Sequence, residues 1–409
     1  MKQPDSSENE SLIDEEKDNT SMISNKINNE YKICNKCIMD TSDPEISFDE
    51  TGTCNYCRRY EENKKLYYLT EEAKQRHLQA MTDFCKKKGQ GKKHDCIIGI
   101  SGGVDSTYVA YKVKELGLRP LAIHLDNGWD AELAVSNIHN VLKKLDIELY
   151  TKVLDWEEFR SLQVAFLKAS TPDSEIPTDH AIGALLKSFA AKENIPLIWG
   201  VNYNSESILP KTWSQGHMDW GYIKKVNSLF GTKKLQDYPH YSVYKRIYWN
   251  RIKRLRIFEL LDYIDYDKEK AKKFLIEELG WRDYGGKHHE SIYTKFFQAY
   301  ILPTKFGYDK RRAHLSSLIL AGQKTREEAL AEMKRPLYNE KELQEHLVYV
   351  PKKLGLTREE FEEIMNKPPR KYEEFSPKFP KILYEIENKF FGILFNIKKK
   401  IINIEKKNV

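Results

Sequence analysis

Beyond Cys96 the 409-residue chain contains no cysteine, and all six cysteines (34, 37, 54, 57, 85 and 96) fall in its first quarter. That clustering argues against disulfides spread through a secreted fold and for a local metal site. It also removes a ready sulfur carrier from the later part of the chain. No apolar run approaches the ~20 residues a membrane helix needs. The first residues are acidic and polar rather than charged-then-apolar, so no secretory leader is expected and the localisation expected is cytoplasmic. Nowhere does a Gly-Lys-Ser/Thr ending complete a Walker loop.

What remains is a soluble composition, with 40% hydrophobic, 12% aromatic and 31% charged residues and a net charge of +6. The charge is uneven. Residues 1–30 hold eight acids and three bases, a balance of −5, which leaves +11 for the rest. A basic body suits phosphate-bearing substrates or nucleic acid.

The leader 1–30 lacks apolar periodicity and reads as disordered. Residues 31–65 form a cysteine module and 66–93 a connecting helix. From 94 to 230 strand and helix patterns alternate. The strands expected are 94–100, 120–125, 148–154 and 196–201, with helices between them, for example 104–116, 131–145 and 181–193. Such alternation implies an α/β fold with a parallel sheet covered on both faces. Residues 231–365 read as a mainly helical, substrate-facing region, and 366–409 as a proline-rich linker with a basic amphipathic tail. That tail can dock on the body or a partner, or lie on an anionic membrane.

Cys34-x2-Cys37 and Cys54-x2-Cys57 have the spacing of a tetrahedral four-thiolate site. Four thiolates leave no open coordination position, so the site is expected to be structural. Zinc fits, and an iron–sulfur cluster remains the alternative. Cys96 reads as a small buried strand residue and Cys85 as an ordinary helix-face thiol.

The string Ser101-Gly102-Gly103-Val104-Asp105-Ser106 follows an apolar strand and opens a helix. Glycines let the backbone approach an anion, and amides at a helix start point at it. Ser101 and Ser106 add hydroxyls. Asp105 cannot favour phosphate directly, so its expected role is to hold Mg²⁺ against the phosphates.

This loop resembles that of the ATP pyrophosphatases, the PP-loop family, which implies ATP as cosubstrate. The resemblance places Asp126 near the nucleoside and lets Gly200 and Asn202 line the same crevice. A closer resemblance spans residues 31–335. It is carried by CIMDTSDPEISFDETGTCNYC, SGGVDSTYVA, HLDNGWD and KHHESIYTKFFQAYILPTKFGYDKRRAHLSSLI. Together these are similar to the N-acetyl sugar amidotransferases of bacterial surface-glycan synthesis, implicated in lipopolysaccharide O-antigen and flagellin sugars. The resemblance implies adenylation of an acetamido oxygen, then replacement by ammonia-derived nitrogen to give an acetamidino sugar. No glutaminase nucleophile is evident in this chain, so ammonia is expected from solution or from a separate subunit; the resemblance implies a separate class I glutaminase with a cyclase-like barrel partner. The rival reading is a tRNA-modifying enzyme of the same superfamily that uses the cysteine module to hold RNA. A third is a non-catalytic scaffold that keeps only the nucleotide fold.

Further candidates come from the polar stretches. Lys287, Lys305, Arg311 and Arg312 can neutralise phosphates. His288 or His289 can move protons near neutral pH, or be ordinary exposed or core histidines. Asp179 and His180 sit in a polar stretch with Asp173. Asp179 either caps a helix or faces substrate. Glu206 is a candidate for magnesium or ammonia.

Overall fold

The computed structural model describes residues 31–67, 70–285 and 290–376. Expectations for the leader, for Lys287, His288 and His289, and for the tail beyond 376 lie outside the described residues.

After the cysteine module come α1 (Asn55–Tyr67) and α2 (Glu71–Gly89). Thr70 caps α2 by accepting from the Ala73 amide, and Lys86, Lys87 and Lys88 complement the dipole of its last turn. The alternating region then runs β1 (Cys96–Gly99), α3 (Val104–Glu115), β2 (Pro120–Asp126), α4 (Glu132–Lys144), β3 (Glu148–Val153), α5 (Trp156–Ala169), α6 (Ile176–Glu193) and β4 (Leu197–Trp199). Each expected strand is present; β1, β3 and β4 are shorter than expected, where backbone pairing stops, and β2 runs one residue further, to Asp126.

A fifth strand, β5 (Ile257–Glu259), escaped the pattern because it is three residues long and follows a run of basic residues. All pairings are parallel and the order is β3-β2-β1-β4-β5. Central β1 and β2 are nearly all apolar and buried, as a sheet covered on both faces requires, whereas β3 at the edge is largely exposed. The connection reverses direction at β1, with β2 on one side and β4 on the other. That is the switch point where open α/β sheets bind ligands, beyond the carboxyl ends of the strands.

The remaining helices are α7 (Tyr203–Glu206), α8 (Trp220–Phe230), α9 (Val243–Ile247), α10 (Lys268–Leu279), α11 (Ile292–Phe296), α12 (Arg311–Leu320), α13 (Arg326–Met333), α14 (Glu340–Leu354) and α15 (Arg358–Asn366). α8 packs on α5, α10 on α3, and α12 on α7 and α13. The parts are not insulated from one another. One continuous apolar cluster joins Cys34 and Cys57, Ile97 and Leu197 of the sheet, and Phe361 and Phe375 near the end of the described chain. Residues 366–376, read from sequence as linker, are docked. Phe375 is buried, and the Tyr372 hydroxyl donates to Asp219 at 2.7 Å. Cys85 and Cys96 are both buried in the second cluster, between α2 and β1.

Candidate functional site

The SGGVDS string occupies the turn from β1 into α3, at the switch point. Gly102 has φ +81°, and a Cβ there would meet the Ala134 carbonyl oxygen at 2.7 Å, so only glycine fits. Its own carbonyl accepts from the Trp281 indole at 2.8 Å. Ser106 ties the turn together. Its hydroxyl accepts from the Ser101 amide at 3.2 Å and lies 3.2 Å from the Ser101 hydroxyl. Gly103 caps α3 without a side chain, and the Gly103 amide donates to Ser101 Oγ at 3.3 Å. The Tyr284 hydroxyl and a Glu290 carboxylate oxygen lie over Gly103, each 3.3 Å from where a Cβ would sit. Gly200, just beyond β4, rests against the other side of the loop, its Cβ position 3.6 Å from Ser106 Cα. Ser101, Gly102, Gly103, Val104, Asp105, Ser106 and Gly200 are therefore gathered in one place.

Asp105 projects from the first turn of α3. It accepts from the Tyr266 hydroxyl and pairs with Lys268 at 3.1 Å. Burial and the neighbouring Asp105 carboxylate push the Tyr266 phenol well above its ordinary range, so it stays a donor. Neither Tyr266 nor Lys268 was visible as a site residue in sequence. They lie over 160 positions away, Tyr266 just before α10 and Lys268 at its first position.

Beneath the loop, His124 of β2 places Nδ1 2.9 Å from the Ile100 carbonyl and Nε2 3.0 Å from Asp130. Burial disfavours its charge, but the Asp130 hydrogen bond and the nearby carboxylates outweigh that and hold its pKa above the ordinary histidine value. Asp126 ends β2 and accepts from the Gly128 amide at 2.8 Å, fixing the turn there. Asn202 is also committed. It is buried, caps α7 by accepting from the Ser205 amide at 3.0 Å, and donates to the Leu261 carbonyl at 3.2 Å. Its contribution is to shape the turn after β4 rather than to present a side chain to the crevice.

A second polar group lies across the crevice, where α6, α7 and α12 begin. Asn127, next to Asp126, donates to Thr178 at 3.1 Å and links the two groups. Asp179, Glu206, Asp173, Glu175 and Lys310 interact electrostatically there. Asp179 and Glu206 are open to solvent, while Asp173 and Glu175 are buried. Asp173 accepts from Ser214 at 2.5 Å and Glu175 from Gln298 at 3.0 Å.

Solvent reaches Asp179, yet other carboxylates stand close to it. Burial, then Asp173 and Glu175, push its carboxyl up to about 8. Glu175, not Asp179, holds the N-cap position of α6, and no side chain caps that helix. Burial opposes the charge on Lys310, yet the four carboxylates raise its pKa above the ordinary lysine value. Lys310 and Glu175 were missed in sequence because nothing local distinguishes them. Lys310 does stand immediately before Arg311 and Arg312, in the stretch that drew attention.

Four expected ligand residues have other work. His180 is buried at 1% exposure, stacked on Tyr241 with ring centroids 4.7 Å apart. Its Nδ1 lies 2.8 Å from the His217 carbonyl and its Nε2 accepts from the Tyr241 amide at 3.3 Å. Burial drives its pKa down to about 3, so it is a neutral core histidine. Arg311 is forked onto Asp309 at 2.7 and 3.0 Å and bonds carbonyls at the end of α13. Arg312 pairs with Asp40 at 3.0 Å and donates to the Ile38 carbonyl at 2.7 Å. Lys305 donates to Ser170 at 3.0 Å and to the Ile364 carbonyl, in a small cleft among Phe166, Phe297 and Ile301, where burial lowers its pKa to about 8. Sequence reasoning saw cations; the fold uses these to fasten its own segments.

The four module cysteines converge. Their sulfurs are fully buried and lie within 4.8 Å of one another, with Cys34–Cys57 at 3.8 Å, Cys37–Cys54 at 3.7 Å and Cys54–Cys57 at 3.6 Å. A tetrahedron of thiolates about 2.3 Å from zinc has edges of about 3.8 Å, so the donor set fits such an ion. The distances are far from the ~2.05 Å of a disulfide. Amides of Lys36, Met39 and Cys54 donate to the sulfurs at 3.3–3.4 Å, as thiolates require. The module is fastened to the body. Ser316 accepts from the Ile38 amide at 3.2 Å, Thr212 bonds Asp43 at 2.7 Å, and Tyr60 stacks on Tyr203 of α7 at 5.8 Å. It thereby buttresses the helices that carry Glu206 and Lys310.

Among the described residues no helix is long and apolar enough to cross a membrane. Residues 290–386 match the family model described as LPS biosynthesis protein WbpG-like, C-terminal domain. An uncharacterized protein of Methanocaldococcus jannaschii is 38% identical over 63 residues, which is 15% of this chain and 23% of that protein. The chain thus matches under a quarter of that relative's length. Among solved structures, the chain is similar to NMN synthetase from Francisella tularensis, at 14% identity over 46% of this chain and 97% of that one, with a TM-score of 0.26. It is also similar to NH3-dependent NAD synthetase from Campylobacter jejuni in complex with the nitrate ion, at 18% identity over 50% and 86% of the two chains, with a TM-score of 0.26.

Proposed function

We propose that the chain is a PP-loop ATP-dependent amidotransferase of bacterial surface-glycan synthesis that turns the acetamido group of an N-acetyl sugar into an acetamidino group. The observation that carries the reading is the SGGVDS turn at the switch point, opening α3, with Gly102 in a left-handed conformation and Gly200 against it. A helix start of this kind takes phosphate. The match of residues 290–386 to a lipopolysaccharide-biosynthesis family supports the glycan context.

The chemistry requires activation because an amide nitrogen donates into its carbonyl and makes the carbon a poor electrophile. The acetamido oxygen attacks the α-phosphorus of ATP, forming a P–O bond as the bond to pyrophosphate breaks. Ammonia adds to the imidate carbon and loses a proton. The C–O bond then breaks, and AMP leaves with the former amide oxygen. The loop from Ser101 to Ser106 holds the departing pyrophosphate, and Asp126 and Gly200 border the nucleoside. Asp105, now engaged by Tyr266 and Lys268, would exchange those partners to hold magnesium, which would supply charge neutralisation for that pyrophosphate. Asp179 and Glu206, with Lys310 between the carboxylates, face the sugar and the incoming nitrogen. Zinc in the four-cysteine site is structural. Ammonia arrives from a separate glutaminase subunit.

The test is mass spectrometry of acetamido sugars and their nucleotide-linked forms, incubated with protein, Mg-ATP and ¹⁵N-ammonium. Label in the sugar, with ¹⁸O from the acetamido group recovered in AMP, is the expected result. AMP formation without ¹⁸O transfer would overturn the mechanism.

A further inference from the structure

His124 has no place in the reaction above, yet it sits where loop, strand and strap meet. It is 7% exposed, and each of its ring nitrogens faces an acceptor, the Ile100 carbonyl at 2.9 Å and the Asp130 carboxylate at 3.0 Å. A neutral imidazole has one N–H and leaves one of these acceptors without a donor; only imidazolium satisfies both. Ile100 is the last residue before the phosphate loop. Asp130 belongs to the segment that pairs with the strap at 290–292. The Ala131 amide donates to the Glu290 carbonyl at 2.8 Å, and the Ile292 amide to the Trp129 carbonyl at 2.9 Å. Glu290 in turn lies over Gly103.

We propose that His124 is a positioning residue for the phosphate loop, an imidazolium clasp that ties the start of the loop, through Asp130, to the strap lying over it. The proposal rests on the reading of this loop as the ATP site. The charged groups acting on His124 are Asp130 and Asp126. Its partner across β3 is the uncharged Thr151, and the face of the sheet it shares with Ala122 is apolar, with Val109, Ile138 and Val141. Burial works against the charged ring and Asp130 works for it, with the second prevailing. The clasp is therefore intact below that raised pKa. It opens as pH rises through the elevated pKa, when one acceptor loses its donor and the Asp130 charge is left uncompensated beneath the loop.

The test compares the full chain with His124→Gln and His124→Asn, each of which keeps one of the two donors. Mg-ATP affinity is measured by calorimetry between pH 6 and 9. Wild type is expected to weaken as pH rises. Both variants are expected to bind about tenfold more weakly at pH 6.5, the scale of one charged hydrogen bond, with a flat pH dependence. Wild-type affinity and pH dependence retained in both variants would overturn the clasp. ¹⁵N spectra of histidine-labelled protein, assigned with the variants, give a readout that needs no nucleotide. Both His124 nitrogens protonated at pH 7 support the proposal, and a single neutral tautomer overturns it. If wild type binds no Mg-ATP, the functional reading fails, and the ¹⁵N spectrum alone decides the clasp.

Discussion

Arg326 donates Nε to the carbonyl of Cys37 at 3.0 Å and a terminal nitrogen to the carbonyl of Cys34 at 3.1 Å. One guanidinium from α13 thus grips the backbone of both residues of the first thiolate pair. The cysteine module and the helical region are separated by nearly 300 positions, yet they behave as one mechanical unit. α12 carries the same connection on its other side through Arg312 and Ser316. The geometry explains how a structural metal can matter to a distant crevice. A metal bound by the four thiolates would hold the module, the module holds α12 and α7, and these carry Lys310 and Glu206.

Metal removal should therefore damage more than residues 31–65. Cys34→Ser or Cys57→Ser is expected to lose the bound metal, measured by elemental analysis, and to lower stability by several kcal/mol. Hydrogen exchange should quicken in α12 and α13 as well as in the module. Loss of protection confined to the module would contradict the buttress. Arg326→Ala, which leaves all four thiolates in place, should keep the metal and cost about 1–3 kcal/mol by freeing two buried carbonyls.

Asp105 is held by Tyr266 and Lys268, more than 160 positions away. Asp105→Ala is expected to reduce pyrophosphate release at least a hundredfold while leaving the circular dichroism spectrum unchanged. Raising Mg²⁺ should not restore it. Turnover within a few-fold of wild type would remove Asp105 from the magnesium site.

Gly102→Ala tests the loop itself. The left-handed backbone alone costs about 1–2 kcal/mol for alanine, and the Ala134 carbonyl stands 2.7 Å from the new methyl group. Mg-ATP binding should be lost with a fall in Tm of several degrees. A variant that binds ATP normally would show that the loop can shift without consequence.

The loop was legible in sequence because its signals are local: an apolar strand, two glycines and a helix pattern within a dozen residues. The four-cysteine site was legible for the same reason, its spacing encoding its geometry. His124, Lys268, Tyr266 and Lys310 were not, because each acquires its meaning from a partner brought close by the tertiary fold. His180, Arg311, Arg312 and Lys305 show the converse: residue type suggests ligand chemistry, while in the fold His180 is a neutral core ring and the three cations each have a carbonyl or carboxylate partner within the chain. β5 was hidden because its three residues pair at an edge beside β4 and carry no alternating pattern of their own.

Asp179 gives the crevice a pH signature. Its carboxyl titrates near 8 in the folded protein and near ~3.9 when unfolded. Between those values the folded state holds the extra proton, so stability falls as pH rises from about 4 to about 8. Asp179→Asn removes that loss. The variant is expected to be more stable than wild type at pH 8, by on the order of 1 kcal/mol, the penalty of an enclosed carboxylate being reduced by its access to water. The two proteins should converge near pH 4. Urea titrations at pH 4.5, 6.5 and 8 measure the difference, and identical slopes against pH would refute the assignment. In activity the order should reverse. If Asp179 takes a proton from the incoming nitrogen, wild type gains rate as pH approaches 8, while Asp179→Asn loses that rise and falls at least tenfold. A stabilised but slower variant is the combination expected where a fold tolerates an unfavourable carboxylate for the sake of its chemistry.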